Sequence, residues 1–189
     1  YAEARAVDKA GNVSDSKLND GYVIDEQAPT DIVITSEAGE ETYESDTWTS
    51  KDVTIKLSST AYSGIYRYYY SVNGSDWTEI DGDTITVKNQ GEWNYKFKAV
   101  SYADNETVTQ NDFKVKIDKT EPVVRVDFEG TFGRWTADGV QFSMSILNQA
   151  ISGVRYYYSA DGGKSWIQAE EGSIITIDED VDASYIFKA

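Results

Sequence analysis

Apolar and polar residues alternate one for one along most of this chain, the spacing that turns one face of an extended strand toward a core and the other toward water. Trp93, Tyr95, Phe97 and Ala99 alternate with Asn94, Lys96, Lys98 and Val100; Phe113, Val115 and Ile117 alternate with Lys114, Lys116 and Asp118. Val53, Ile55 and Leu57 do the same against Thr54, Lys56 and Ser58, as do Val140, Phe142 and Met144 against Gln141, Ser143 and Ser145. No window carries the period of a helix. The pattern predicts strands near 31–36, 52–58, 65–72, 76–80, 83–88, 93–101 and 111–118, with turn residues between them. Asn73-Gly74 supplies the positive φ angles of a tight hairpin, and Asp161-Gly162-Gly163 takes that place further along with one extra residue. Seven short antiparallel strands read as an all-β fold, a two-sheet sandwich of immunoglobulin type, and the absence of cysteine makes it an unbridged version.

The same signals come twice. Residues 23–30, VIDEQAPT, return as KIDKTEPV at 116–123, with Pro29 and Pro122 122 − 29 = 93 positions apart. Trp48-Thr49 returns as Trp135-Thr136, the Ser63-Gly64 run into the tyrosine strand as Ser152-Gly153, Trp77 as Trp166, and Phe97-Lys98-Ala99 as Phe187-Lys188-Ala189. Recurrence at that distance is the signature of a tandem array of small domains. Proline lacks a backbone donor and holds its predecessor extended, which suits a short stiff junction, so boundaries are expected at the two prolines. The expected division is 1–28 as the closing strands of one repeat, 29–121 as a complete repeat, and 122–189 as the first part of a third.

Charge and composition narrow the function. A net charge of −16 argues against nucleic acid or an anionic membrane as partner and favours cations. With no histidine and no cysteine there is no Ser-His-Asp triad, no thiol nucleophile and no imidazole proton shuttle. Glu40-Glu41 and Glu170-Glu171 lie in hydrophilic loops with no aromatic cleft in view, so an acid–base pair for glycoside hydrolysis is not expected. No apolar run is long enough to cross a bilayer, so no membrane insertion is expected in this segment, and targeting or anchoring signals are expected elsewhere in a longer polypeptide.

The run Ala4-Arg5-Ala6-Val7-Asp8-Lys9-Ala10-Gly11-Asn12-Val13-Ser14, followed by Val23-Ile24-Asp25 and Pro29, resembles the end of the tandem Ig-like repeats of large bacterial cell-surface proteins. The hairpin Tyr70-Ser71-Val72-Asn73-Gly74-Ser75-Asp76-Trp77 is similar to a hairpin of the same class. The resemblance implies an extracellular location, at a bacterial cell surface or secreted. It implies a non-catalytic stalk or spacer that positions other domains and whose first partners are neighbouring repeats. The rival expectation is a carbohydrate-binding or adhesive module.

Candidate sites follow. In the tyrosine strand Tyr66, Tyr68, Tyr70 and Val72 are expected inward and Arg67, Tyr69 and Ser71 outward. If the strands share a sheet, Arg67 and Tyr69 join Lys96, Lys98, Lys114 and Lys116 in a basic face, read first as solvated lysines guarding the sheet and alternatively as a dock for an anionic glycan or host-surface ligand. The tryptophans read as packing before sugar stacking. Carboxylates crowd the junctions and turns, Asp178, Glu179 and Asp180 among them. They read first as solvated loops, with no cofactor, and alternatively as a structural calcium site made by Asp8, Asp25 and Glu26 once strands 1–7 and 21–26 pair. Residues 20–25, with Tyr22 and Ile24 at inward positions, match the place held by Val115 and Ile117, which makes self-association by strand exchange a further expectation.

Overall fold

The computed structural model describes residues 3–18, 22–130, 136, 138–148, 150–178 and 182–189, and every regular element in it is a β-strand. Trp135, Glu179 and Asp180 lie outside the described residues. In chain order the strands begin β1 (Glu3–Ala4), β2 (Lys17–Leu18), β3 (Val33–Ala38), β4 (Glu41–Thr42), β5 (Trp48–Thr49) and β6 (Val53–Ser58). They continue as β7 (Ile65–Val72), β8 (Thr78–Ile80), β9 (Thr84–Val87), β10 (Gly91–Ser101), β11 (Glu106–Val108) and β12 (Phe113–Ile117). The last six are β13 (Val124–Glu129), β14 (Val140–Ile146), β15 (Tyr156–Ser159), β16 (Ile167–Ala169), β17 (Ile175–Ile177) and β18 (Ile186–Lys188).

These strands form several sheets. The orders are β4-β3-β6-β9, β5-β12-β10-β7-β8 with β11 on β10, β13-β14-β17 and β16-β15-β18, beside the small β1-β2 pair. All seven predicted strands of the central stretch are present within a few residues of their predicted bounds. The short β4, β5 and β11 were not predicted; β5 carries Trp48 and runs parallel to β12, Lys116 opposite Trp48. Two or three residues are too few to display an alternation.

Contacts sort the chain into two compact units, the first made of 1–36, 55–85 and 94–113, the second of 37–54, 86–93 and 114–189. In the first unit, Ile55 and Leu57 on β6 and Phe97 and Ala99 on β10 are almost wholly buried, as their alternation predicts. β10 pairs antiparallel with β7 from Tyr95 opposite Val72 to Val100 opposite Arg67, then steps so that Ser101 faces Ile65. That irregularity corrects two assignments. Val100 and Ser101 are both buried although period two would place Val100 in water. Tyr66, skipped by the step, is 48% exposed rather than inward, its ring set against Tyr102 and under the Arg67 guanidinium. A bulge changes which side of a strand a residue faces, and nothing in the alternation announces it. Ser71 is buried where an outward position was expected, its hydroxyl donating to Ser75 O at 2.6 Å to close the Asn73-Gly74 turn.

The second unit buries Val53, Val115 and Ile117, and separately a cluster of Phe142, Met144 and Tyr156. Around that cluster Val126, Phe128, Tyr158, Ile175, Tyr185 and Phe187 are partly buried, with Phe142 edge-on to Phe187 at 5.0 Å and to Tyr158 at 5.4 Å. β13 alternates half-buried Val124, Val126 and Phe128 with exposed Arg125, Asp127 and Glu129, against β14.

Candidate functional site

The stretch from Val7 to Val13 reverses on a turn in which Gly11 has φ +89°, a conformation glycine takes without strain. Asp8 closes it. Its Oδ1 accepts from the N–H groups of Ala10 and Asn12, both at 2.9 Å, and its Oδ2 accepts from Asn12 Nδ2 at 2.8 Å. The Asn12 side-chain amide first, then its backbone N–H, hold the Asp8 carboxyl below the ordinary 3.8. At the position 101 − 8 = 93 residues on, Ser101 does the same work: its Oγ accepts from the N–H groups of Ala103 and Asn105, both at 3.2 Å, and Asp104 takes the positive φ, +60°. A serine that can replace the aspartate shows that the position calls for an acceptor oxygen, whether or not it is charged.

The same turn folds β1 back onto β2, Glu3 opposite Leu18, so the strand expected to pair with 21–26 pairs with the nearer segment instead. Short loop closure wins over long because it orders less chain. Residues 22–26 are in no strand, and Tyr22, Val23 and Ile24 are largely exposed.

Asp25 and Asp118, 118 − 25 = 93 positions apart, bracket the two prolines with one arrangement. Asp25 Oδ1 accepts from Gln27 N–H at 3.1 Å, and Oδ2 accepts from Ser63 N–H at 2.9 Å, 38 residues along the chain. Asp118 Oδ1 accepts from Thr120 N–H at 3.0 Å, and Oδ2 accepts from Ser152 N–H at 3.0 Å and Ser152 Oγ at 2.7 Å. Each carboxylate therefore turns its own proline segment with one oxygen and takes hold of a distant Ser-Gly turn with the other. The Ser63 hydroxyl has no hydrogen-bond partner of good geometry, yet it stands close enough to Asp25 to lead the groups that hold its carboxyl below 3.8, ahead of the Ser63 and Gln27 N–H groups. At Asp118 burial opposes the charge and the hydrogen bonds, Ser152 Oγ foremost, outweigh it, so that carboxyl too lies below 3.8.

Further hydrogen bonds tie these proline segments. Asn105 Nδ2 donates to Asp25 O at 2.8 Å and Thr107 Oγ1 to Pro29 O at 2.5 Å. Asn148 accepts from Val123 N–H at 2.8 Å and donates to Glu121 O at 2.7 Å. The carboxylates named as a calcium set are thus occupied with backbone donors, while Glu26 is exposed. Among the described residues no group of three or more acidic, histidine or cysteine side chains gathers in an arrangement that could hold a metal ion.

On the outer face each expected cation is paired with an acid. Arg67 pairs with Glu79, Lys96 with Asp112 at 3.8 Å, and Lys98 with Glu106 at 3.0 Å in the first unit. In the second unit, Lys114 and Lys116 share Asp46, at 3.4 and 2.7 Å, and Lys116 also approaches Glu92. The Lys116 ammonium bonded to Asp46 lowers that carboxyl and is itself raised by it. These carboxylates neutralise the field a basic face would offer an anionic ligand.

Tyr69 takes part in a motif that occurs twice. Lys98 lies over the rings of Tyr69, 5.0 Å away, and Trp77, 5.2 Å away; Lys188 lies over Tyr157, 5.3 Å away, and Trp166, 3.9 Å away. In each case lysine and tyrosine are directly paired across the strands, Lys98 opposite Tyr69 and Lys188 opposite Tyr157. Among the described tryptophans none is buried: Trp77 is exposed, and Trp48, Trp93 and Trp166 are half-buried. They pack over lysine ammonium groups or, for Trp93, bond Asn89 O at 3.1 Å, where core burial was expected.

Sequence reasoning passed over Ser63, Ser152 and Asn105, the groups that meet the proline segments. The available signal was the return of Ser-Gly before both tyrosine strands together with the return of Ile-Asp before both prolines. No protein-family model matches the chain, and no curated protein sequence matches it.

Proposed function

We propose that the chain is a non-catalytic spacer, built of immunoglobulin-like sandwich repeats in tandem and belonging to a bacterial cell-surface or secreted protein, whose work is to hold other domains at a distance. The recurrence of one contact carries this reading: Asp25 with Ser63 and Asp118 with Ser152 each tie the segment before a proline to a distant Ser-Gly turn through the same Oδ2 to serine N–H bond. A spacer transmits load and position only if its joints are stiff, and a carboxylate shared between the linker and a distant turn restricts a joint that proline alone would leave free to swing. An adhesive role for the Arg67 and Tyr69 face has less support, since a carboxylate accompanies each cation there.

Nuclear relaxation on the 189-residue chain tests the reading. Amides on either side of Pro122 are expected to share one anisotropic rotational diffusion, and Asp118→Asn is expected to let the two sides tumble separately. Independent isotropic tumbling in the wild-type chain would overturn the proposal.

A further inference from the structure

An open cleft of about 670 Å³ in the second unit is lined by Lys51, Lys88 and Lys119 with a single carboxylate, Asp52. Three ammonium groups around one acid is the reverse of the chain as a whole, which carries 33 acidic residues against 17 basic ones. Lys119 is already engaged: its Nζ meets Asp52 Oδ1 at 2.5 Å and Lys88 O at 2.8 Å. Its backbone N–H donates to Gln90 Oε1 at 3.1 Å, which fixes the residue's backbone. Lys51 and Lys88 make no ion pair among the described residues, so the cleft keeps two uncompensated ammonium groups.

The lining adds neutral donors. Thr54 Oγ1 and Thr86 Oγ1 lie 3.4 Å apart, Ser50 also lines the cleft, and hydroxyls can donate to an oxyanion while the ammonium groups neutralise it. Gly39 supplies the room: a methyl group there would stand 2.8 Å from Lys51 Cδ, and the missing side chain lets the lysine stem lie along the cleft wall.

The fold itself does not call for lysine at these positions. By the Trp48-Thr49 match to Trp135-Thr136, Lys51 corresponds to Asp138; by the Thr86-Val87 match to Thr176-Ile177, Lys88 corresponds to Asp178; and at 119 − 93 = 26, Lys119 corresponds to Glu26. Each of the three lysines stands where the recurring pattern elsewhere carries an acid. Ordinary solvation of a sheet edge is served by either sign, so the basic triple is a property of this copy.

We propose that this cleft is an oxyanion-binding site, taking one sulfate, phosphate or carboxylate group between Lys51 and Lys88 over the Thr54 and Thr86 hydroxyls. The inference is independent of the spacer reading, which turns on the junctions. The test is a titration of the full chain with inorganic sulfate, with sodium chloride adjusted to constant ionic strength, followed by amide chemical shifts; a second arm uses a sulfated disaccharide to separate free from sugar-borne anion. Saturable shifts are expected at residues 50–54 and 86–88. Lys51→Gln with Lys88→Gln should weaken binding on the order of tenfold or more, and Asp52→Asn, which removes the one opposing charge, should tighten it by roughly threefold. That gain is one a merely structural role for Asp52 would not produce. Saturation by the disaccharide at lower concentration than by sulfate would assign the site to a glycan, and the reverse order to the free ion. Shifts that rise without saturation, or variant titrations that superimpose on wild type while the spectra stay dispersed, would overturn the proposal.

Discussion

Phe97 and Phe187 hold the same place in the Phe-Lys-Ala pattern, and Phe97 is completely buried while Phe187 is half-buried. The strands around them differ in the same direction. β7 runs eight residues, whereas β15, which carries the same tyrosine run, runs four. Before the two prolines the order reverses: the Asp118 carboxylate is buried and accepts three hydrogen bonds, where that of the more exposed Asp25 accepts two. One set of sequence signals therefore yields two depths of burial. The pattern specifies which residues face inward, and how deeply each is buried depends on what packs around it.

Removing the two phenylalanines in turn should break the comparison most visibly. Phe97→Ala is expected to cost about 3–5 kcal/mol, because lost transfer and a residual cavity add, whereas Phe187→Ala should cost about 1–2 kcal/mol. Urea denaturation of each variant measures both, and equal losses would show that the two cores are equivalent. The two aspartates come next. Asp118→Ala is expected to destabilise by about 2–3 kcal/mol, since it strips three hydrogen bonds from a buried charge and leaves Ser152 N–H unsatisfied, and Asp25→Ala should cost less. A larger effect at Asp25 in the same denaturation series would reverse the ranking.

Acid sharpens the same contrast. The Asp118 carboxyl titrates below 3.8 in the folded chain, so its contribution is fully present at neutral pH and is lost as pH falls from about 4 down through its folded pKa. Stability measured against pH should therefore fall less steeply below about pH 4 in Asp118→Asn than in wild type. The smallest effect is expected at Asp8. Because Ser101 closes the equivalent turn with a hydroxyl, Asp8→Ser should leave the thermal midpoint unchanged in calcium and in chelator alike. A midpoint that drops in the variant, or rises with calcium only in wild type, would return the charge at Asp8 to a binding role.

Much of this was legible along the chain. Alternation located the strands from Val33 to Ile117 and named Val53, Ile55, Leu57, Phe97, Ala99, Val115 and Ile117 as inward, because period two is a property of extended backbone that needs no partner to be seen. The Asn73-Gly74 and Asp161-Gly162-Gly163 turns were legible for a similar reason, since few residues tolerate their φ angles.

Tertiary structure decided the rest. The step between Val100 and Ser101 is set by how β10 meets β7, and beside it Tyr66 is exposed and Val100 buried, against the alternation. The grip of Asp118 on Ser152 spans 34 residues and that of Asp25 on Ser63 spans 38, distances over which a sequence records the two ends but not their meeting. The acids that neutralise Arg67, Lys98 and Lys116 likewise reach them from other strands or loops. Local preference is written residue by residue in the chain, whereas the pairing of polar groups across strands is settled only when burial leaves each charge and each N–H to find a partner.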